Sequence, residues 1–354
     1  MKLLHLIGNG SDISLGLKTS YSDFYEYYLK QPIPDDNKDA IQQFKDSINQ
    51  YIKEKDSARI NWSDAEVAIG EYASIFWSGT DHPVYSACID DFQNNLINYL
   101  QKESDRVLFE PSQDEAYTFL HDFLTPEERL ANQIKLKFKQ FCNSDRLDIV
   151  NVITFNYTTI FENIFKDSIK YTDKTVLKDA KIIHIHGTLE DNPVLGVNDK
   201  SQVKNLHFEK EGFDFARIVK PIFNDRCLNT RNGECENLIK SADVISIYGM
   251  STGITDRKWF EMIGQQMVQN DKMAILYFPY DKEKVITRTN GYKLYEWCEE
   301  YKEKLINAIG IKKNKAEEVK NRIFVNINKR LFYCPKAKSM EEISDGLSNA
   351  IKRF

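Results

Sequence analysis

Four short motifs in this chain put small or polar residues where chemistry can be done. The first is Gly8-Asn9-Gly10, followed by Ser11 and Asp12. Glycines let a phosphate approach the backbone, and a helix start behind them offers it N–H groups. A full dinucleotide fingerprint has a third glycine three positions on, where this chain has Ile13. No acidic residue at the customary offset marks a ribose either. A tight turn alone would explain the glycine pair; its place at the first strand end favours the phosphate reading.

The second motif is Thr154-Phe155-Asn156-Tyr157-Thr158, with Glu162 downstream. The Asn156 amide both donates and accepts, so it can orient a water or a ribose hydroxyl. Its plainer reading is a helix cap. The third is His184-Ile185-His186-Gly187. Alternation along a strand would turn both imidazoles to one side. Two histidines without a nearby acidic or cysteine cluster make a thin metal site, so no metal is expected. His184 reads as a structural, hydrogen-bonded residue. His186, just before a glycine at a strand end, reads as an exposed general base. The fourth motif is Tyr248-Gly249-Met250-Ser251-Thr252-Gly253, with Thr255-Asp256 after it. A Gly/Ser turn is its simple reading, with Asp256 as a helix N-cap.

These motifs need strands to carry them. Apolar runs at residues 3–7, 148–155, 182–185, 244–248, 273–278 and 323–327 are mostly continuous rather than alternating. That pattern suits strands of a parallel sheet buried on both faces. Helix-like stretches at 258–268 and 295–309 separate some of them, and Ser11 or Asp12 is placed to cap a helix over 13–17. Residues 21–146 read differently. Ile41, Phe44, Ile48 and Tyr51 recur at helical steps, as do Cys88, Phe92, Leu96 and Tyr99, and Leu130, Ile134, Phe138 and Phe141. Pro32-Ile33-Pro34-Asp35-Asp36 and Asp81-His82-Pro83 read as loops between them. The expected architecture is α/β: one Rossmann-like parallel sheet from residues 1–20 and 147–354, interrupted by a helical insertion at 21–146. The four motifs then fall at four strand ends, along one edge of the sheet.

Composition narrows the class. The 354 residues are 42% hydrophobic and 29% charged, which is ordinary for a globular chain. At roughly 100–200 residues per domain, that length fits two domains or one interrupted domain. The net charge of −5 excludes an overall basic, nucleic-acid-coating protein. Residues 312–338 hold nine Lys/Arg and two Glu, a local +7 that leaves −12 elsewhere. No apolar run nears the ~20 residues of a membrane span, and residues 1–7 are too short for a signal peptide. The six cysteines (Cys88, Cys142, Cys227, Cys235, Cys298 and Cys334) form no CxxC and read as reduced thiols of a cytoplasmic protein.

At these residues the chain resembles the abortive-infection AbiH family and, more distantly, the sirtuin-like NAD-binding superfamily. The stretch from Gly8 through Gly16-Leu17-Lys18-Thr19-Ser20-Tyr21-Ser22-Asp23-Phe24 is similar to the AbiH opening motif. Trp62-Ser63-Asp64-Ala65-Glu66 resembles that family's Trp-x-Asp-x-Glu element, and the motifs at Asn156, His186 and Gly249–Asp256 resemble its remaining blocks. The sirtuin-type resemblance implies a cofactor loop at Gly8, Asn9 and Gly10, with Gly16-Leu17. It makes Asn156 the residue that positions ribose and water, and His186 the catalytic histidine. It puts Gly249 and Ser251 on the adenosine side. Asp12, Thr19 and Thr154 complete the expected cofactor-binding set. Asp12 stands where sirtuins have serine, Thr158 where they have aspartate, and their zinc module has no counterpart. The resemblance therefore implies cleavage of a nucleotide rather than protein deacylation: an anti-phage effector that binds NAD and hydrolyses its nicotinamide–ribosyl bond. Two other readings stay open, a nucleotide-sensing or scaffold subunit and a nucleic-acid-directed toxin using residues 312–338. A toxic effector must be held off in the resting cell, so a homo-oligomer or a regulatory partner protein is expected.

Overall fold

The structure is a computed structural model that describes residues 1–54, 66–67, 69–70, 82–142, 146–191, 193–197, 199–203, 213–227, 230–253, 256–332 and 338–339. Trp62, Ser63, Asp64, Ala65, Asp81, Thr255 and Cys334 lie outside the described residues. Six strands form one sheet: β1 (Lys2–Ile7), β2 (Ile149–Thr154), β3 (Ile182–His184), β4 (Val244–Tyr248), β5 (Ala274–Phe278) and β6 (Ile323–Val325). Their order is β3-β2-β1-β4-β5-β6, and every pairing is parallel. This is the doubly wound Rossmann-like α/β fold that the continuous apolar runs predict.

Each strand is covered on both faces, which is why its apolar residues run on without alternation. Leu3 and Ile7 of β1 face a layer built from helices Gln113–Leu124, Asn132–Phe141 and Ile160–Ser168. Leu4 and Leu6 face helices Arg231–Ser241, Arg257–Gln269 and Lys293–Ala308. Each such side chain contributes about 1.5–3 kcal/mol when fully buried. The segment between β1 and β2 serves two places. Gln113–Leu124 and Asn132–Phe141 lie on the sheet. Helices Tyr21–Leu29, Lys38–Glu54 and His82–Asp105 instead form a separate core, shared with Tyr157, Leu195, Val197, Ile218 and Val219.

Local readings change in three places. The helix after β1 is Gly10–Ser14, not 13–17, and neither Ser11 nor Asp12 caps it. Both side chains are buried and bonded elsewhere, Ser11 Oγ to the Gly8 carbonyl at 2.9 Å and Asp12 to residues after β2. His82-Pro83 is not a loop but opens helix His82–Asp105. Proline suits a first helical turn because its missing N–H has no partner to lose there. Part of the basic tract is consumed internally. Lys315 pairs with Glu318 at 2.7 Å and Lys320 with Glu299 at 3.2 Å. Arg322 donates to the Met267 and Asn270 carbonyls at 2.6 and 2.7 Å, closing the end of helix Arg257–Gln269. The described cysteines are all free. Among the described residues no helix is long and apolar enough to cross a membrane.

Candidate active site

Strand register sets the site. Ile7 pairs with Thr154 on one side and Tyr248 on the other, Thr154 pairs with His184, and Tyr248 pairs with Phe278. The carboxyl ends of β1 to β5 therefore lie level. The order reverses between β1 and β4, and ligands bind at such switch points in open α/β sheets. A cleft of about 760 Å³ opens there, lined among others by Gly8, Gly10, Asp12, Asn156, His186 and Gly249.

The two glycine loops are packed against each other. Gly10 N–H donates to the Gly249 carbonyl at 2.8 Å, and Gly8 N–H to the Tyr248 carbonyl at 3.0 Å. A Cβ on Gly8 would stand 2.6 Å from Gly249 O. Gly249 has φ +67°, and a Cβ there would stand 2.5 Å from Ser11 N. These glycines are required by backbone meeting backbone. Asn9 and Thr19 are joined reciprocally: Asn9 Nδ2 donates to Thr19 O at 2.7 Å, and Thr19 Oγ1 to Asn9 Oδ1 at 2.8 Å.

A buried polar group sits under these loops. Asn156 Nδ2 donates to Ser11 Oγ and to Asp12 Oδ1, both at 2.9 Å, and Thr158 Oγ1 donates to Asp12 Oδ2 at 2.5 Å. Burial pushes the Asp12 carboxyl up to about 6, against the pull of these donors. The acceptor carboxylate fixes which end of the Asn156 amide is nitrogen. Asn156 Oδ1 is left buried, with no partner among the described residues.

His186 faces a second group. Gly187, with φ +77°, and the bond from Val194 N–H to His186 O at 2.8 Å hold the turn that carries it. His186 Nε2 lies 3.0 Å from Asp256 Oδ1 and 3.5 Å from Lys220 Nζ. Lys220 Nζ is 2.7 Å from Glu66 Oε1 and 3.6 Å from Asp256 Oδ1. The shorter contact to an acceptor assigns the imidazole proton to Nε2, donated to Asp256. Nδ1 is then the basic nitrogen, and it too is buried with no partner among the described residues. Burial first, and the Lys220 charge second, bring the His186 pKa down to about 4, so the ring is neutral. Burial pulls the Lys220 pKa down, but the Glu66 and Asp256 carboxylates outweigh it and the net shift is upward.

Two readings of the histidines change. His186 is 4% exposed rather than an exposed base. The two rings also engage different groups. β3 ends at His184, and a turn follows it. His184 Nδ1 donates instead to the Asn156 carbonyl at 3.0 Å, and its Nε2 lies 3.3 Å from Glu162. His184 is the structural, hydrogen-bonded residue of the pair.

Of the expected site residues, Gly8, Asn9, Gly10, Asp12, Asn156, His186, Gly249 and Ser251 line one cleft. Thr19 and Thr154 are buried behind it, Thr19 on Asn9 and Thr154 accepting from the Asn156 backbone N–H at 3.2 Å. Sequence reasoning missed Glu66 and Lys220 as site residues and read Asp256 only as a cap. Asp256 holds the N-cap position of helix Arg257–Gln269 but makes no side-chain cap bond, because its carboxylate faces His186 and Lys220.

No individual curated protein matches the chain. The sequence model of the family described as bacteriophage abortive infection AbiH matches residues 4–278. The match runs from β1 to the last residue of β5 and takes in every site residue from Gly8 to Asp256. By that match the chain belongs to the bacteriophage abortive infection AbiH family.

Proposed function

We propose that this abortive-infection protein binds NAD or a related nucleotide in the cleft and hydrolyses its nicotinamide–ribosyl bond. One observation carries the reading. Asn156 Oδ1 and His186 Nδ1, two acceptors without partners among the described residues, belong to side chains lining one cleft at the switch point of the sheet. Buried polar atoms are normally satisfied, so such a pair asks for donors from a ligand. A water and a ribose hydroxyl are donors of that kind.

The chemistry suits the surroundings. The nicotinamide leaves with the electron pair of its bond to C1′ and becomes neutral, so the reaction needs no strong general acid. Positive charge builds on the ribose ring instead. The cleft is lined by the carboxylates of Asp12, Glu66, Asp256, Asp281 and Glu283 against the ammonium groups of Lys220, Lys282 and Lys304. A lining with more carboxylates than ammonium groups stabilises a developing cation. Asn156 holds a ribose hydroxyl or the attacking water. The water oxygen bonds to C1′, and its proton passes to His186 Nδ1. The diphosphate lies along the rim formed by the two glycine loops, whose Gly8 and Gly10 N–H groups are already given to the Tyr248 and Gly249 carbonyls.

A binding-only reading has one observation in its favour: a base held near pKa 4 is weak for proton abstraction. The two readings separate on product. Purified chain incubated with NAD should release nicotinamide and ADP-ribose, with His186→Ala and Asn156→Ala strongly impaired. Tight NAD binding by calorimetry with no product would favour the sensor. A chain that neither binds nor cleaves NAD would overturn both.

A further inference from the structure

The buried ion pair between Glu66 and Lys220 is not explained by the cleavage chemistry alone. Lys220 Nζ is enclosed, with its side chain 4% exposed and that of Glu66 6% exposed. A buried pair of this kind gives little net stability, because both charges must be stripped of water. Its placement is also specific. Lys220 begins a helix, Lys220–Arg226, and its N–H donates to the Val197 carbonyl at 2.9 Å. Glu66 comes from the segment between β1 and β2. Gly70, from the same segment, sits so tightly that a Cβ there would be 2.6 Å from Gln202 O and 2.9 Å from Val197 Cγ1. Lys220 is thus anchored on the Val197 backbone, Gly70 packs beside the same residue, and both Glu66 and Lys220 line the cleft.

The position of Lys220 next to His186 Nε2 creates a conflict. At 3.5 Å its ammonium is a rival donor to that nitrogen. If Lys220 donated to Nε2, the ring proton would move to Nδ1, and the cleft-lining imidazole would lose its free acceptor. The ammonium instead lies 2.7 Å from Glu66 and 3.6 Å from Asp256. Around the ring stand Asp256, Lys220, Tyr157 and, farther off, Arg231. Tyr157 gives its hydroxyl proton to the Val194 carbonyl at 2.8 Å and does not compete.

We propose that Glu66 and Lys220 are a positioning pair for His186: Glu66 draws the Lys220 ammonium off Nε2, so that Lys220 braces Asp256 and Nδ1 keeps its lone pair. The inference rests on the cleavage reading for its kinetic consequence but not for its structural one. It also gives part of the helical segment between β1 and β2 a task, since the site is incomplete without Glu66.

The test is nitrogen NMR of the histidine rings in the full-length protein, with His186→Ala identifying the His186 signals. The wild type should show a neutral ring protonated at Nε2. Glu66→Gln should move the proton toward Nδ1 and lower kcat for NAD cleavage by about 10- to 100-fold, the scale set by partners that orient metal-bound imidazoles, with KM unchanged. The double variant Glu66→Gln/Lys220→Met, which leaves neither charge of the pair, should return the proton to Nε2. It serves alone if the single variant does not fold. An unchanged tautomer in Glu66→Gln, or an Nδ1-protonated ring in the double variant, overturns the pair whether or not NAD is cleaved. The predicted tautomer shifts in a protein that leaves NAD intact would uphold the pair and remove the cleavage reading.

Discussion

Asn156 gives its amide N–H to the buried carboxylate of Asp12 at 2.9 Å, so its carbonyl oxygen is the end left buried with no partner among the described residues. The bond joins the first helix after β1 to the loop after β2, across 144 residues of sequence. It ties the cleft-lining amide to an acid whose pKa burial has raised to about 6.

That raised pKa has a cost in stability with a definite sign. The folded chain holds the Asp12 proton more tightly than the unfolded chain, whose value is near 3.8. Stability from this group is therefore full below about pH 4 and declines as pH rises through 6. Two pKa units correspond to about 3 kcal/mol at pH 7.5. Asp12→Asn should gain on the order of 2–3 kcal/mol at pH 7.5 and nearly nothing at pH 4, while impairing NAD cleavage. Urea unfolding at the two pH values checks it. Equal gains at both, or none at pH 7.5, would contradict the burial argument.

The buried histidines act in the opposite direction. His5, bonded through Nε2 to the Phe123 carbonyl at 2.8 Å, and His186 are both brought down to about 4, chiefly by burial. The unfolded chain takes up their protons near 6.5, so stability is lost as pH falls from 6.5 toward 4. The thermal midpoint should fall across that window, and less steeply in His186→Ala. Because Asp12 opposes the trend there, Asp12→Asn should steepen it. A midpoint that stays flat in all three proteins would refute the assignment of neutral, buried rings.

Gly249 tests the meeting of the two loops. With φ +67° and Ser11 N 2.5 Å from a would-be Cβ, Gly249→Ala should destabilise by about 1–3 kcal/mol and abolish nucleotide binding. Gly233, in helix Arg231–Ser241 with open space beside it, is the control. Gly233→Ala should leave binding intact and add up to about 1 kcal/mol. Calorimetric binding and denaturant unfolding of both variants decide the point; intact binding in Gly249→Ala would show that the loop contact is dispensable.

The sheet was readable because its signals are local. Five continuous apolar runs end in a glycine or a polar group, and that pattern needs no distant partner to be seen. The same holds for Gly8, Asn156, His186 and Gly249, each at or just past a strand end. Asp12 was misplaced because an acid near a helix start normally caps it, and only its partners Asn156 and Thr158, more than 140 residues away, override that. The exposure of His186 was misjudged for the same reason: Lys220 and Asp256, which close around it, come from other segments. Glu66, Lys220 and Asp256 share no spacing. Lys220 and Asp256 also have ordinary local explanations, Lys220 beside a proline at a helix start and Asp256 at an N-cap.

The central claim is most directly tested in infected cells, where any trigger the protein needs is present. NAD, nicotinamide and ADP-ribose should be quantified by mass spectrometry through phage infection, in cells carrying the wild type, His186→Ala or Asn156→Ala. NAD should collapse, with nicotinamide and ADP-ribose rising, in wild-type cells alone. Infection aborted by the wild type with NAD intact, or equal NAD loss in the His186→Ala cells, would contradict the account.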